Sequence, residues 1–175
     1  MTQFIKITAK IFLVSFIINI GFVQAKPVGK IQSIKGKAFL FYQGEVREVY
    51  QGMSVNDFSV LTTEIGAQIT FIDYYDREYH LSGGGNLKIL NNLIEIKSGY
   101  LWINGMKGQN DLIIKTSNSQ MELYRAEAIV SYDTVKDKTQ VLAISGYIDL
   151  SNTERSLTVE RVQEGTFSFI QNEYD

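Results

Sequence analysis

The side chains able to do covalent chemistry are few in this chain. It has no cysteine and one histidine, so a thiolate nucleophile is absent and any Ser-His-Asp relay must use His80. His80 lies in Glu78-Tyr79-His80-Leu81-Ser82, on the face of a strand opposite Tyr79 and Leu81. A relay also needs its serine on a strained elbow such as G-x-S-x-G, and no such segment occurs. The acyl-transfer roles have no occupants and no catalytic residue is assigned, which leaves an envelope hydrolase as a remote alternative. Asp73, Asp76 and Glu78 could offer oxygen ligands to calcium, but their spacing fits no calcium-loop signature. A solvated turn whose acids pair with Arg77 is the reading, and no metal is assigned. Ser82-Gly83-Gly84-Gly85-Asn86 resembles a phosphate cradle only in its glycines. No lysine follows it and no helix opens after it, so no cofactor is implied.

The aromatic residues point further than the polar ones. Tyr74, Tyr75 and Tyr79 crowd one turn, and Tyr100 and Trp102 share one face of a strand. Core packing is the ordinary fate of a tryptophan. Tyrosines at a loop tip are hard to bury together, and exposed Tyr and Trp are favoured anchors on protein surfaces and sugar rings. Tyr74, Tyr75, Tyr79 and Trp102 are therefore the candidate binding residues.

These residues must be positioned by strands. Past Lys26 the apolar residues recur at spacing two, in short runs rich in Ile, Val, Phe, Tyr and Thr. Ala67, Ile69 and Phe71 alternate with Gln68 and Thr70; Ala126, Ala128 and Val130 share a face. Turns are expected at Gln43-Gly44, Asp73 to Arg77, Ser82 to Asn86, Ser98-Gly99, Gly108 to Asp111, Asp133 to Lys138 and Ser145-Gly146. No stretch sustains helical spacing, so at most a short helical turn is expected, near Val55 to Phe58. About eleven strands at this spacing predict a single all-β domain, a β-sandwich, a barrel or a stacked β-helix-like fold. Ile69, Phe71, Leu101 and Ile144 are expected in its core.

Residues 1–25 read as a secretory signal peptide. Lys6 and Lys10 precede an apolar run from Ile11 to Val23, and Val23-Gln24-Ala25 presents small or compact residues where a signal peptidase reads. The run is about 13 residues, short of the roughly 20 a spanning helix needs, so cleavage after Ala25 is expected and the mature form has no stable membrane span. The 26–175 remainder, about 150 residues, can bury a core without disulfides. The signal removes two of 17 basic residues and none of 19 acidic ones. The product is thus mildly acidic, without the clustered Lys and Arg that nucleic acid requires.

The order of elements resembles the FecR-type domain, a bacterial envelope module. Gly29, Ile31, Ile34, Gly36 and Ala38 are similar to its opening strand, and Val49, Gly52, Met53, Val55 and Asp57 to its "l..G..l..gD" step. Leu61-Thr62-Thr63, Gly66-Ala67, Ile69, Phe71 and Asp73 follow its next turn and strand, with Leu87 and Ile89 after them. Ile94, Ile96, Gly99, Leu101 and Trp102 resemble its "v.l..G.l.." hairpin; Leu112, Ile114 and Thr116 resemble a later strand; Val141, Ile144, Gly146, Tyr147 and Ile148 resemble the closing hairpin. The chain departs from the pattern at Tyr124-Arg125-Ala126-Glu127-Ala128, where the family has a Gly-Thr turn, and at Tyr74-Tyr75, where it has small turn residues. The resemblance implies a free-standing exported member: a non-enzymatic binding or scaffolding module, in the periplasm or at the cell surface, with an envelope protein or glycan as partner. A transmembrane FecR-type regulator, retained by an uncleaved N-terminal segment, is the alternative.

Overall fold

The computed structural model describes residues 27–108, 111–154 and 158–172; the proposed signal peptide lies outside them. Thirteen strands are present among the described residues and no helix. In chain order they are β1 (Pro27–Lys35), β2 (Ala38–Tyr42), β3 (Glu45–Glu48), β4 (Ser54–Asn56), β5 (Val60–Thr63), β6 (Gln68–Asp73), β7 (Glu78–Leu90), β8 (Leu93–Asn104), β9 (Leu112–Lys115), β10 (Ser119–Asp133), β11 (Lys138–Asn152), β12 (Val159–Gln163) and β13 (Phe167–Gln171). The segment expected to hold a helical turn is instead β4 and the turn after it, with Phe58 at φ 65°. All ladders are antiparallel except β8–β9.

Four strands, β7, β8, β10 and β11, have 12 to 15 residues, and each changes partners midway. The first half of β7 pairs β6 and its second half pairs β5. Likewise β8 passes from β9 to β10, β10 from β9 to the second half of β8, and β11 from β13 to β12. The chain therefore builds two layers from one sheet. One holds β1, β4, β6, β13 and one half of each long strand; the other holds β2, β3, β5, β9, β12 and the remaining halves. Side chains from both layers meet in a single core, including Leu40, Leu61, Phe71, Leu101, Ile114, Val130 and Ile148. Of the architectures open to the sequence this is the sandwich, with strands that switch layers at bulges.

Three of the expected turns are these switch points. Residues 83–85 face the single Gly99 across the β7–β8 ladder, and Gly146 opposes Arg125 and Ala126 across β10–β11. Gly99 has φ 90°, and a Cβ there would sit 2.5 Å from Gly85 Cα. Gly146, at φ 72°, would place one 2.7 Å from the Arg125 carbonyl oxygen. Gly-rich segments signal the local backbone but do not distinguish a reversal from a bend inside a continuing strand. At Gln43-Gly44, Asp73 to Arg77 and Asp133 to Lys138 the chain does reverse.

Bulges also explain where the core expectation holds and where it fails. Ile69, Phe71 and Leu101 are fully buried, but Ile144 is 37 % exposed. In β11 the inward residues are Val141 and Ala143 before the bend and Ile148 and Leu150 after it. The ladder skips Ile144, because Glu127 pairs Ser145 and Ala128 pairs Ala143. An extra residue reverses the alternation, and Ile144 is left on the outside.

Candidate functional site

The Tyr74-Tyr75 turn is held by a buried charge cluster. The Asp73 carboxylate accepts from the backbone N–H groups of Tyr75 (2.8 Å) and Arg77 (3.0 Å), and its other oxygen accepts from Arg77 Nε (2.6 Å) and the Tyr79 hydroxyl (2.9 Å). Arg77 is 1 % exposed. It also donates to Asn92 Oδ1, which is anchored in turn on the Asp111 carbonyl. The turn is thus desolvated at its base, unlike the solvated turn expected from sequence. Burial pushes the Tyr79 phenol well above its ordinary range, so it stays a proton donor to Asp73. Of the three acids, Asp73 has four donors, Glu78 pairs with His80 and Asp76 is exposed.

The four candidate binding residues separate. Tyr79 is in the core, its ring stacked 4.4 Å from Phe71, and is not available to a partner. Tyr74 is 64 % exposed. Tyr75 is half-buried, with the Arg77 guanidinium 4.9 Å from its ring centroid. Tyr74→Ser is accordingly expected to leave stability within about 0.5 kcal/mol, whereas Tyr75→Ser should cost about 1 kcal/mol by uncovering a desolvated cation–π contact. Urea unfolding of the two single variants checks this; equal midpoints would show that the stacking contributes nothing.

Trp102 lies elsewhere, on the solvent face of the first layer rather than in the core. Register places one row of cross-strand neighbours on that face: Thr70, His80, Trp102, Ile129, Leu142 and Phe167, from β6, β7, β8, β10, β11 and β13. A second row beside it runs Lys35, Gln68, Ser82, Tyr100, Ser131, Gln140 and Phe169. Two depressions, of about 420 Å³ around His80 and Trp102 and about 280 Å³ toward Phe167, share Tyr100 and Ile129 and form one shallow trough.

The opposite face of the sandwich has a different character. One row there runs Val46, Phe41, Val60, Lys88, Glu95 and Lys115, and another holds Glu122, Asp149 and Arg161, so ion pairs share this face with exposed Val46 and Phe41. Lys97 pairs with Glu95, and Arg161 grips Asp149 at 2.7 and 2.8 Å. Those pairs hold both carboxyl groups below their ordinary range. Ion pairs of this kind are what an exposed sheet normally presents to water. The first face gathers its exposed aromatic and aliphatic side chains in one trough, with Tyr100 56 % and Phe167 71 % exposed.

Within the trough, His80 Nδ1 is 3.1 Å from Thr70 Oγ1 and Nε2 is 2.9 Å from Glu78 Oε1, while the ring meets Trp102 edge-on at 4.5 Å. The line Thr70-His80-Glu78 has the outline of a catalytic relay but not its surroundings. Thr70 is buried in a central strand paired on both sides, so the neighbouring backbone N–H groups serve the ladders and cannot form an oxyanion hole. The arrangement locks His80 and orients Trp102, whose indole N–H donates to Glu127 at 3.0 Å. Of this face, sequence reasoning singled out Trp102 and noted Tyr100. Ile129, Leu142, Phe167 and Phe169 come from distant strands; Phe167-Ser168-Phe169 alternation was the one local signal.

Fold and face together define a β-sandwich with an aromatic-lined trough on one outer surface. The fold is shared with a crystal structure of a candidate anti-sigma factor from Parabacteroides distasonis ATCC 8503, at TM-score 0.57 and 14 % identity over 65 % of this chain and 55 % of that one. A second candidate anti-sigma factor from that organism aligns at TM-score 0.49 and 16 % identity, over 69 % of this chain and 54 % of the other. This chain spans little more than half the length of either. At these identities the likeness is one of fold. No protein-family model and no curated protein matches the chain.

Proposed function

We propose that this protein is a non-enzymatic binding module of the bacterial envelope, exported by its N-terminal segment and working through the trough on its first layer. The observation that carries the reading is the trough itself, where exposed Tyr100 and Phe167 line two adjoining depressions. Exposed rings and aliphatic groups in the trough lose water-contact area when a partner covers them. The FecR-like order of elements and the anti-sigma-factor fold likeness support an envelope role. Among the described residues no helix is long and apolar enough to cross a membrane.

The test uses a photo-crosslinking amino acid at Ser131, between Tyr100 and Gln140 on the trough floor, in the organism that makes the protein. A discrete adduct in the envelope fraction is expected, and none from the same probe at Lys88 on the opposite face. Adducts from both positions alike, or from neither, would reject the trough as a binding face. N-terminal sequencing of the same preparation should find Lys26 first. A product that keeps Met1 and sediments with inner membranes would favour the anchored regulator instead.

A further inference from the structure

We infer that the trough takes an uncharged oligosaccharide; this rests on the binding reading above and narrows its partner to one chemical class. The interior strands beneath the trough are paired on both sides. Their N–H and C=O groups are spent on the ladders, so a ligand on this face meets side chains only. An extended peptide normally gains affinity by adding main-chain hydrogen bonds at a sheet edge, which this face offers only at β13, at one end of the rows, and not along the trough floor.

The side chains on offer suit sugars. Gln68, Ser82, Ser33 and Gln140 present amides and hydroxyls that can exchange hydrogen bonds with sugar hydroxyls, beside Tyr100 and Trp102, whose rings can cover the apolar faces of pyranose rings. Lys35 is the one lysine or arginine lining either depression, and no carboxylate lines them. Glu78 and Glu127, at the margin, are engaged by His80 and Trp102. Lys138, 4.3 Å over the Phe169 ring, is a second cation beside the rows; two separated lysines are few for a strongly anionic polymer, and a cationic one meets no carboxylate in the depressions. From β7 to β13 the first row crosses five neighbouring strands, about 19 Å at 4.8 Å per gap, which is room for several linked rings.

Trp102 is the chain's single tryptophan, so its emission reports on the trough directly. The full exported chain is titrated with chitotetraose, cellotetraose and maltotetraose. Saturable change with at least one is expected, weakened about thirtyfold by Tyr100→Ala, about tenfold by Phe167→Ala and not at all by Lys88→Ala. The Tyr100 ring packs over Gly83, so that variant can also lose stability. Phe167 is exposed enough that its truncation keeps the fold and the test intact. No saturable change with any of the three sugars overturns the inference, as does unchanged affinity in folded Phe167→Ala and Tyr100→Ala. A protein adduct at Ser131 without sugar binding overturns the sugar but keeps the binding face, whereas neither adduct nor sugar binding removes both.

Discussion

Asp73→Ala is expected to lower the stability of this domain by about 3–5 kcal/mol, a large share of the 5–15 kcal/mol typical of a folded domain. The carboxylate has four donors, and its removal leaves the Arg77 guanidinium buried beside the Tyr79 hydroxyl with a single remaining side-chain acceptor, Asn92. An uncompensated buried charge costs more than the pair itself contributes. Adding Arg77→Met to Asp73→Ala should therefore recover part of the loss, because the stranded cation goes with it. Asp76→Asn, three residues along on an exposed left-handed residue, should change stability by no more than about 0.5 kcal/mol. Chemical denaturation of the four proteins decides the matter. If Asp73→Ala unfolds like wild type, the cluster is not the anchor of the β6–β7 turn.

Gly99→Ala should be nearly as damaging, at about 2–5 kcal/mol. A side chain at φ 90° costs about 1–2 kcal/mol, and the added methyl would meet backbone at 2.5 Å, adding the roughly 1–3 kcal/mol of an overpacked site. The neighbour is the Cα of Gly85 on the facing strand, which cannot swing aside as a flexible side chain would. Gly66→Ala provides the comparison. It shares the positive φ but has nothing within 4 Å of the new Cβ, so only the backbone cost of about 1–2 kcal/mol applies. Thermal melts showing the same loss at both positions would mean that β7 and β8 relax freely at the bend, and that the layer switch is not held by close backbone approach.

Much of this molecule is legible residue by residue. Period-two alternation is a local property of strands, so the all-β class and the burial of Ile69, Phe71 and Leu101 follow from the chain itself. The composition, the cysteine count and the absence of a nucleophile elbow are equally direct. Alternation identifies faces only up to the next bulge, however, and an inserted residue reverses every assignment beyond it. That is why Ile144 was expected inside and is outside, and why the glycines at 83–85, 99 and 146 were expected to reverse the chain and instead bend it. Whether a glycine turns a strand back or redirects it between layers depends on which strand lies across from it, a pairing made far away in sequence. Burial of Tyr79 likewise depended on Phe71 and Asp73 gathering around it, and the aromatic face on register across six strands. Local pattern is enough for the set of strands and their polarity; which residues stand together on a surface depends on long-range pairing, because the hydrogen bonds that set register join segments that share no local signal.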